Sequence, residues 1–178
     1  MKSIHGLWLL PVAAIVTPAY AEEYFTVEQA QKAIFPDAGS FIESPAELTD
    51  DQKDQIKELA DVRQRWDTQK MWRVQKAGQA VGWLIVDDVV GKHEFITYAT
   101  GLSMDGQVIG IEVMSYRETH GGAIKEKIWR DHFVGKTLAD PFKLDEDVPN
   151  ISGGTLSCRN VLDGVKRLLV LQKVVGLK

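Results

Sequence analysis

The chain has 178 residues, of which 44% are hydrophobic, and its 21 Lys and Arg against 25 Asp and Glu give a formal net charge of −4. This mildly acidic balance argues against a nucleic-acid-binding protein, which needs a basic patch. Because Cys158 is the single cysteine, an internal disulfide, a c-type haem attachment and a four-cysteine iron–sulfur site are excluded.

The first 21 residues have the pattern of an export signal peptide. Lys2 gives a positive start, residues 7–16 form an apolar run, and a small-x-small cleavage site ends at Ala21. The run is shorter than the ~20 residues that a membrane-spanning helix needs. We therefore expect cleavage after Ala21 and a periplasmic domain of residues 22–178. An uncleaved N-terminal membrane anchor is the alternative.

Two helices are predicted next, each from a capping box in which a threonine hydroxyl and a glutamine side chain satisfy backbone N–H groups. Thr26 with Gln29 begins the first helix, and Thr49 with Gln52 begins the second. Residues 40–45, which lie between the two helices, are interpreted as a connection.

From Lys70 the hydrophobic pattern changes from a helical period to alternation, which predicts β-strands. Four strands are expected, near residues 71–74, 81–87, 95–102 and 108–113. The second strand is apolar on both sides, so we expect it to be covered on both faces. Short turns, at Gly91-Lys92 and at Asp105-Gly106, join the strands into an antiparallel meander.

Two further helices are predicted after the sheet. Residues 123–133 are interpreted as one helix that presents Ile124, Ile128 and Trp129 together. The last helix has an apolar stripe formed by Val161, Val165, Leu168 and Leu169. Arg167 is assigned to its other faces. The pattern as a whole predicts a single α+β domain, with helices before and after an antiparallel sheet of about four strands.

The start of the last helix is a run of small and hydroxylated residues: Ser152, Gly153, Gly154, Thr155, Leu156 and Ser157. Glycines let a backbone approach a ligand closely, and the first N–H groups of a helix have no carbonyl partner within it. With the helix dipole they form a natural phosphate site, while the hydroxyls can donate to phosphate or become esterified. A Ser/Thr-rich helix start without a ligand explains the same residues.

A second polar loop follows the fourth strand and consists of Glu118, Thr119, His120, Gly121 and Gly122. Its glycine pair and polar flanks can expose backbone donors and acceptors to a planar ligand. A simple strand-to-helix turn is the alternative. No second histidine lies at metal-ligand spacing from His120, which is interpreted as a solvated loop residue.

Other reactive or aromatic residues are interpreted as structural. Cys158 is expected to be a small buried residue rather than a thiolate. A group of acidic and histidine residues fits a turn better than a metal site: Asp87, Asp88, His93 and Glu94. Four tryptophans are expected in the core: Trp66, Trp72, Trp83 and Trp129.

Together these motifs resemble the FMN-binding domain family, which includes the periplasmic flavin subunits of the Rnf electron-transport complex and of the sodium-pumping NADH:quinone oxidoreductase. The family has a Glu-Thr-x-Gly loop, a helix with Trp and Phe, and Ser-Gly-Ala-Thr at the start of the last helix. The matching residues here are Glu118-Thr119-His120-Gly121, Trp129 with Phe133, and Ser152-Gly153-Gly154-Thr155.

The resemblance implies a covalently bound cofactor. In the family, a flavin transferase links FMN through its phosphate to the threonine of the motif, which places the ester on Thr155. The N–H groups of Leu156 and Ser157 are then expected to face the phosphate, and residues 118–122 to lie against the flavin ring. Gly154 replaces the usual alanine, and we expect this replacement to be tolerated because glycine is smaller and its backbone is more flexible.

The function that the resemblance implies is electron relay. We predict an exported flavoprotein that passes electrons between redox partners in the periplasm or at the membrane, without converting a substrate itself. A flavin-free binding or assembly module that retains the fold is the main alternative. A substrate-reducing flavoenzyme is a weaker one, since the sequence has no arginine cluster to bind such a substrate.

Overall fold

Four α-helices and seven β-strands make up the part of the chain that the computed structural model describes, residues 24–177. The helices are α1 (Val27–Ile34), α2 (Asp50–Ala60), α3 (Lys127–Arg130) and α4 (Thr155–Val175). The strands are β1 (Ser40–Glu43), β2 (Ala46–Glu47), β3 (Thr68–Gln69), β4 (Met71–Lys76), β5 (Gln79–Val90), β6 (Phe95–Ser103) and β7 (Val108–Ser115). The predicted export signal lies outside the described residues. None of the described helices is long and apolar enough to cross a membrane.

The main sheet has five antiparallel strands in the order β1-β4-β5-β6-β7. Strands β4 to β7 are the predicted meander, which confirms the α+β fold class. The interpretation of residues 40–45 as a connection is wrong for Ser40–Glu43, because these residues pair along the outer edge of β4. Three of the four are exposed, so the strand carries no burial pattern that sequence could reveal.

Strand β5 lies between two hydrophobic cores, as its apolar pattern predicts. Trp83 and Ile85 belong to the core beneath α4, whereas Leu84 and Val86 belong to the core beneath α1. Because successive side chains of a strand point to opposite faces, a strand with both faces apolar requires a cover on each side. The sheet therefore separates α1 from α2 and α4.

Both predicted capping boxes are confirmed. In α1, the Thr26 hydroxyl accepts from the backbone N–H of Gln29 at 3.3 Å, and the Gln29 side chain accepts from the N–H of Thr26 at 2.7 Å. In α2, Thr49 and Gln52 make the same reciprocal pair at 3.2 and 3.0 Å. Each box satisfies backbone donors that the first turn of a helix leaves without partners.

Helix α4 is buried on more sides than its apolar stripe indicates. The stripe is buried as predicted, and Arg167, which lies on another face of the helix, is buried as well, with its side chain 3% exposed. Its guanidinium forms an ion pair with Asp87 of β5 and donates to Gln64, and Tyr98 donates to Asp87 at 2.7 Å. The pair joins residues 80 positions apart, which no local pattern reveals.

The segment predicted as one helix over residues 123–133 is instead broken into short pieces. A 3₁₀ turn, Gly122–Lys125, is separated from α3 by Glu126 in an extended conformation. Ile124 and Trp129 are buried as expected, whereas Ile128 is 74% exposed. The break turns Ile128 away from the core, so the prediction that all three residues lie together is wrong.

Candidate functional site

The two sequence motifs meet at a contact between two glycines. A β-carbon added to either Gly121 or Gly154 would lie 2.6 Å from the Cα of the other. Gly121 also has φ +83, a left-handed backbone that favours glycine. Gly154 is therefore a position of close backbone contact. The sequence-based expectation that glycine is tolerated here because it is smaller and more flexible than alanine does not include this contact.

A groove of about 400 Å³ opens beside this contact. Its lining includes residues of both motifs: Glu118, Thr119, His120, Gly153, Gly154, Thr155, Leu156 and Ser157. Three other predicted site residues lie outside the lining. Gly121 packs beneath Gly154, Gly122 begins the 3₁₀ turn, and Ser152 is an exposed residue of the preceding turn.

The N-terminus of α4 faces the groove without a side-chain cap. Its N-cap residue is Gly154, which has no side chain to accept a hydrogen bond, whereas α1 and α2 begin with capping boxes. Free N–H groups and the positive end of a helix dipole favour an anion at this position. The chemistry of the groove therefore fits a phosphate.

The two hydroxyls in the first turn of α4 differ in accessibility. Thr155, the first residue of the helix, is exposed and lines the groove. Ser157 is 3% exposed, and its Oγ lies 3.3 Å from the Oη of Tyr116. Of these two, Thr155 is the hydroxyl that a modifying enzyme can reach.

Tyr116, the residue that follows β7, holds the two motifs together and is not predicted as a site residue from the sequence. Its hydroxyl donates to the backbone oxygen of His120 and also contacts Ser157. Burial raises the pKa of Tyr116 above the usual tyrosine value, which keeps the hydroxyl protonated as a donor. Tyr116 belongs to neither sequence motif, and its contacts to His120 and Ser157 depend on the fold.

Glu118 stabilises the turn between β5 and β6 through hydrogen bonds. Its Oε1 accepts from the backbone N–H of His93 at 2.6 Å and of Glu94 at 3.0 Å. Desolvation raises the pKa of Glu118, but N–H donation from His93, Glu94 and Lys92 outweighs this and holds the pKa below its usual value. This carboxylate oxygen thus binds the turn, and the turn brings Lys92 and His93 to the wall of the groove.

Lys92 and His93 were not predicted as site residues. The sequence around Gly91-Lys92 predicts only a turn, and no local pattern indicates that Glu118 binds this turn. His93 was grouped with Asp87 around the same turn, but Asp87 is buried in its ion pair with Arg167.

The remaining candidates take structural positions, with one exception. Cys158 is fully buried, and desolvation raises the pKa of its thiol, so the burial expected of it is confirmed. Trp83 and Trp129 are in the core, and Trp72 is partly buried against it. Trp66 is 37% exposed, so its assignment to the core is wrong. Among residues 24–177, no group of three or more His, Cys, Asp and Glu side chains is placed to hold a metal ion.

A family model and a known protein sequence each match part of this chain. Residues 91–170 match the family model of the FMN-binding domain. The G subunit of the Na(+)-translocating ferredoxin:NAD(+) oxidoreductase complex of Acetobacterium woodii is 28% identical over 98 residues. That match covers 49% of this chain and 47% of the relative, so the chain spans about half the length of the relative.

Solved structures of low sequence identity have the same fold. The C subunit of the Na(+)-translocating NADH-quinone reductase from Parabacteroides distasonis superposes with a TM-score of 0.52 at 16% identity, covering 76% of this chain and 78% of that one. NqrC of Shewanella oneidensis gives the same TM-score and identity over 78% and 72% of the two chains. The segment of residues 91–170 that matches the FMN-binding domain model contains both the Glu118 loop and the Thr155 motif.

Proposed function

We propose that this chain is an exported electron-transfer flavoprotein whose FMN is attached through its phosphate to the hydroxyl of Thr155. The observation that carries the proposal is the position of Thr155. It is exposed at the uncapped start of α4, on a groove whose other wall is the Glu118 loop.

An ester bond suits a groove of this kind. Holding free FMN at micromolar to nanomolar strength takes about 8 to 12 kcal/mol of binding free energy. The start of a helix near the surface supplies only ~0.3–1 kcal/mol of charge stabilisation. A covalent link through Thr155 removes the need for a deep pocket. It also leaves the flavin accessible to a docking protein, which favours electron exchange over substrate conversion.

Different residues of the groove would hold different parts of FMN. The N–H groups of Leu156 and Ser157 would bind the phosphate at the start of α4, and the loop from Glu118 to His120 would border the ring. Bound flavin supplies reversible acceptance of one or two electrons, while the protein sets its potential and its accessibility. The partners we propose are a flavin transferase for maturation and other redox proteins. The Acetobacterium woodii protein and the Parabacteroides distasonis protein named above are subunits of Na(+)-translocating oxidoreductases.

Covalent loading tests the proposal directly. The full chain is co-expressed with a flavin transferase, and the denatured protein is examined for flavin fluorescence on a gel. We expect a fluorescent band for the wild-type chain and for Ser152→Ala, and a dark band for Thr155→Ala. Ser152 is the matched control, because its hydroxyl is exposed only three residues before Thr155.

The alternatives give different results in the same experiment. A wild-type chain that stays dark beside an active transferase favours the flavin-free binding module. Fluorescence that persists in Thr155→Ala contradicts the choice of acceptor. Because Thr155 is exposed and its side chain does not cap the helix, this substitution should change the free energy of unfolding by no more than about 0.5 kcal/mol.

A further inference from the structure

We infer that Lys92 places a positive charge beside the flavin ring and raises the midpoint potential of the bound cofactor. This inference rests on the proposed function, since it concerns the same groove. Among the residues that line the groove, Lys92 is the one with a permanent positive charge.

Lys92 reaches the groove because the β5–β6 turn is held from three sides. The N–H of Gly91 donates to the backbone oxygen of Glu94 at 2.7 Å and closes the turn. Oε1 of Glu118 accepts from the N–H groups of His93 and Glu94. On the third side, the side-chain amide of Asn160, in α4, donates to the backbone oxygen at the end of β5.

The absence of a side chain at Gly91 allows this arrangement. A β-carbon there would collide with Oε1 of Glu118. The turn is thus tied both to the Glu118 loop and to the helix that begins at Thr155. A lysine on such a turn has its backbone fixed with respect to the groove.

The groove has two walls of different chemistry. Gly153 to Ser157 form one wall, where the helix N-terminus already provides N–H groups for the phosphate. Lys92, His93 and the loop from Glu118 to His120 form the other wall. With the phosphate tethered to Thr155, the second wall is left for the ring.

A lysine beside the ring acts on the reduced cofactor more than on the oxidised one. When the ring takes up two electrons from a redox partner and one proton from solvent, it gains one negative charge. An adjacent ammonium group attracts this charge more strongly where water is partly excluded. Lys92 therefore stabilises the reduced state and raises the midpoint potential.

The test compares three variants of the covalently loaded chain by spectroelectrochemical titration with redox mediators. Lys92→Gln removes the charge, Lys92→Arg keeps it, and Lys32→Gln removes a charge from the exposed side of α1, across the sheet from α4. We expect Lys92→Gln to lower the midpoint potential, while the other two variants stay at the wild-type value. The wavelength of the flavin absorption maximum should also shift in Lys92→Gln alone.

Two results would overturn the inference and leave the proposed function intact. One is a loaded Lys92→Gln variant whose potential differs no more than that of Lys32→Gln. The other is loss of loading in Lys92→Gln with normal loading in Lys92→Arg, which would assign the charge to the phosphate during attachment. A wild-type chain that never becomes fluorescent would overturn both the inference and the proposed function.

Discussion

Two glycines join the sequence motifs into one groove. Gly121 and Gly154 bring their backbones into contact, and Gly121 is also in the left-handed region. The family resemblance predicts that both positions are small, but the reason is visible only when the loops are placed together. At the scale of residues, the sequence identifies the glycines, and the structure shows the backbone contact for which glycine is required.

Gly121→Ala should destabilise the protein more than Gly78→Ala does. Gly78 has a similar φ of +78 but open space around it, so alanine there costs only the left-handed strain of about 1–2 kcal/mol. At Gly121 the added methyl group also collides with Gly154 and Tyr116, and overpacking adds about 1–3 kcal/mol. Guanidinium unfolding of both variants measures the difference, and equal costs would contradict the glycine contact.

Glu118 should make the stability of the site loop dependent on pH. Its pKa in the folded protein is lowered by N–H donors that outweigh desolvation, so its stabilisation is complete above the unfolded value. That contribution is lost as pH falls from about 4 through the lower folded value. Glu118→Gln should therefore be less stable than wild type at neutral pH, and the gap should close in acid. A gap that does not change between pH 7 and 3 would contradict this account.

At the scale of elements, sequence predicts what local pattern controls. The capping boxes of α1 and α2 and the two-sided burial of β5 are confirmed because neighbouring residues determine them. Strand β1 and the break at Glu126 are not predicted from the sequence. Strand β1 depends on pairing with a distant strand, and the segment around Glu126 packs against β7.

The buried pair of Arg167 and Asp87 ties α4 to β5 and should be strongly coupled. Removing one partner leaves a buried charge without compensation, so Arg167→Met should lower the free energy of unfolding by about 3–5 kcal/mol. Asp87→Leu should have a cost of the same order. The double variant should be more stable than the sum of the two single costs predicts, as a double-mutant cycle by denaturant unfolding would measure. Additive costs would show that the pair is not coupled.

At the scale of the whole molecule, the sequence predicts the fold class and both loops of the groove. The sequence does not predict Lys92, His93 and Tyr116 as site residues, because contacts with distant residues bring them to the site. The motif residues belong to short runs that a family pattern can identify. The wall opposite them is assembled by tertiary structure, because Glu118 binds a turn that is separate from it in sequence.

Export is a prediction from the N-terminal sequence, and cleavage of that segment during secretion tests it. Expressed with its N-terminus intact in a Gram-negative host, the chain should be recovered from the periplasm with Glu22 as its first residue. N-terminal sequencing of the purified protein checks this. A membrane-bound product that retains residues 1–21 would favour the uncleaved anchor instead.

The central claim is tested most directly by locating the flavin on the chain. Trypsin should release residues 144–159 as one peptide, which contains Ser152, Thr155 and Ser157. After co-expression with the transferase, its mass should rise by that of FMN less one water, and fragmentation should place the addition on Thr155. An addition on Ser152 or Ser157, or an unmodified peptide from a fully active transferase strain, would contradict the account.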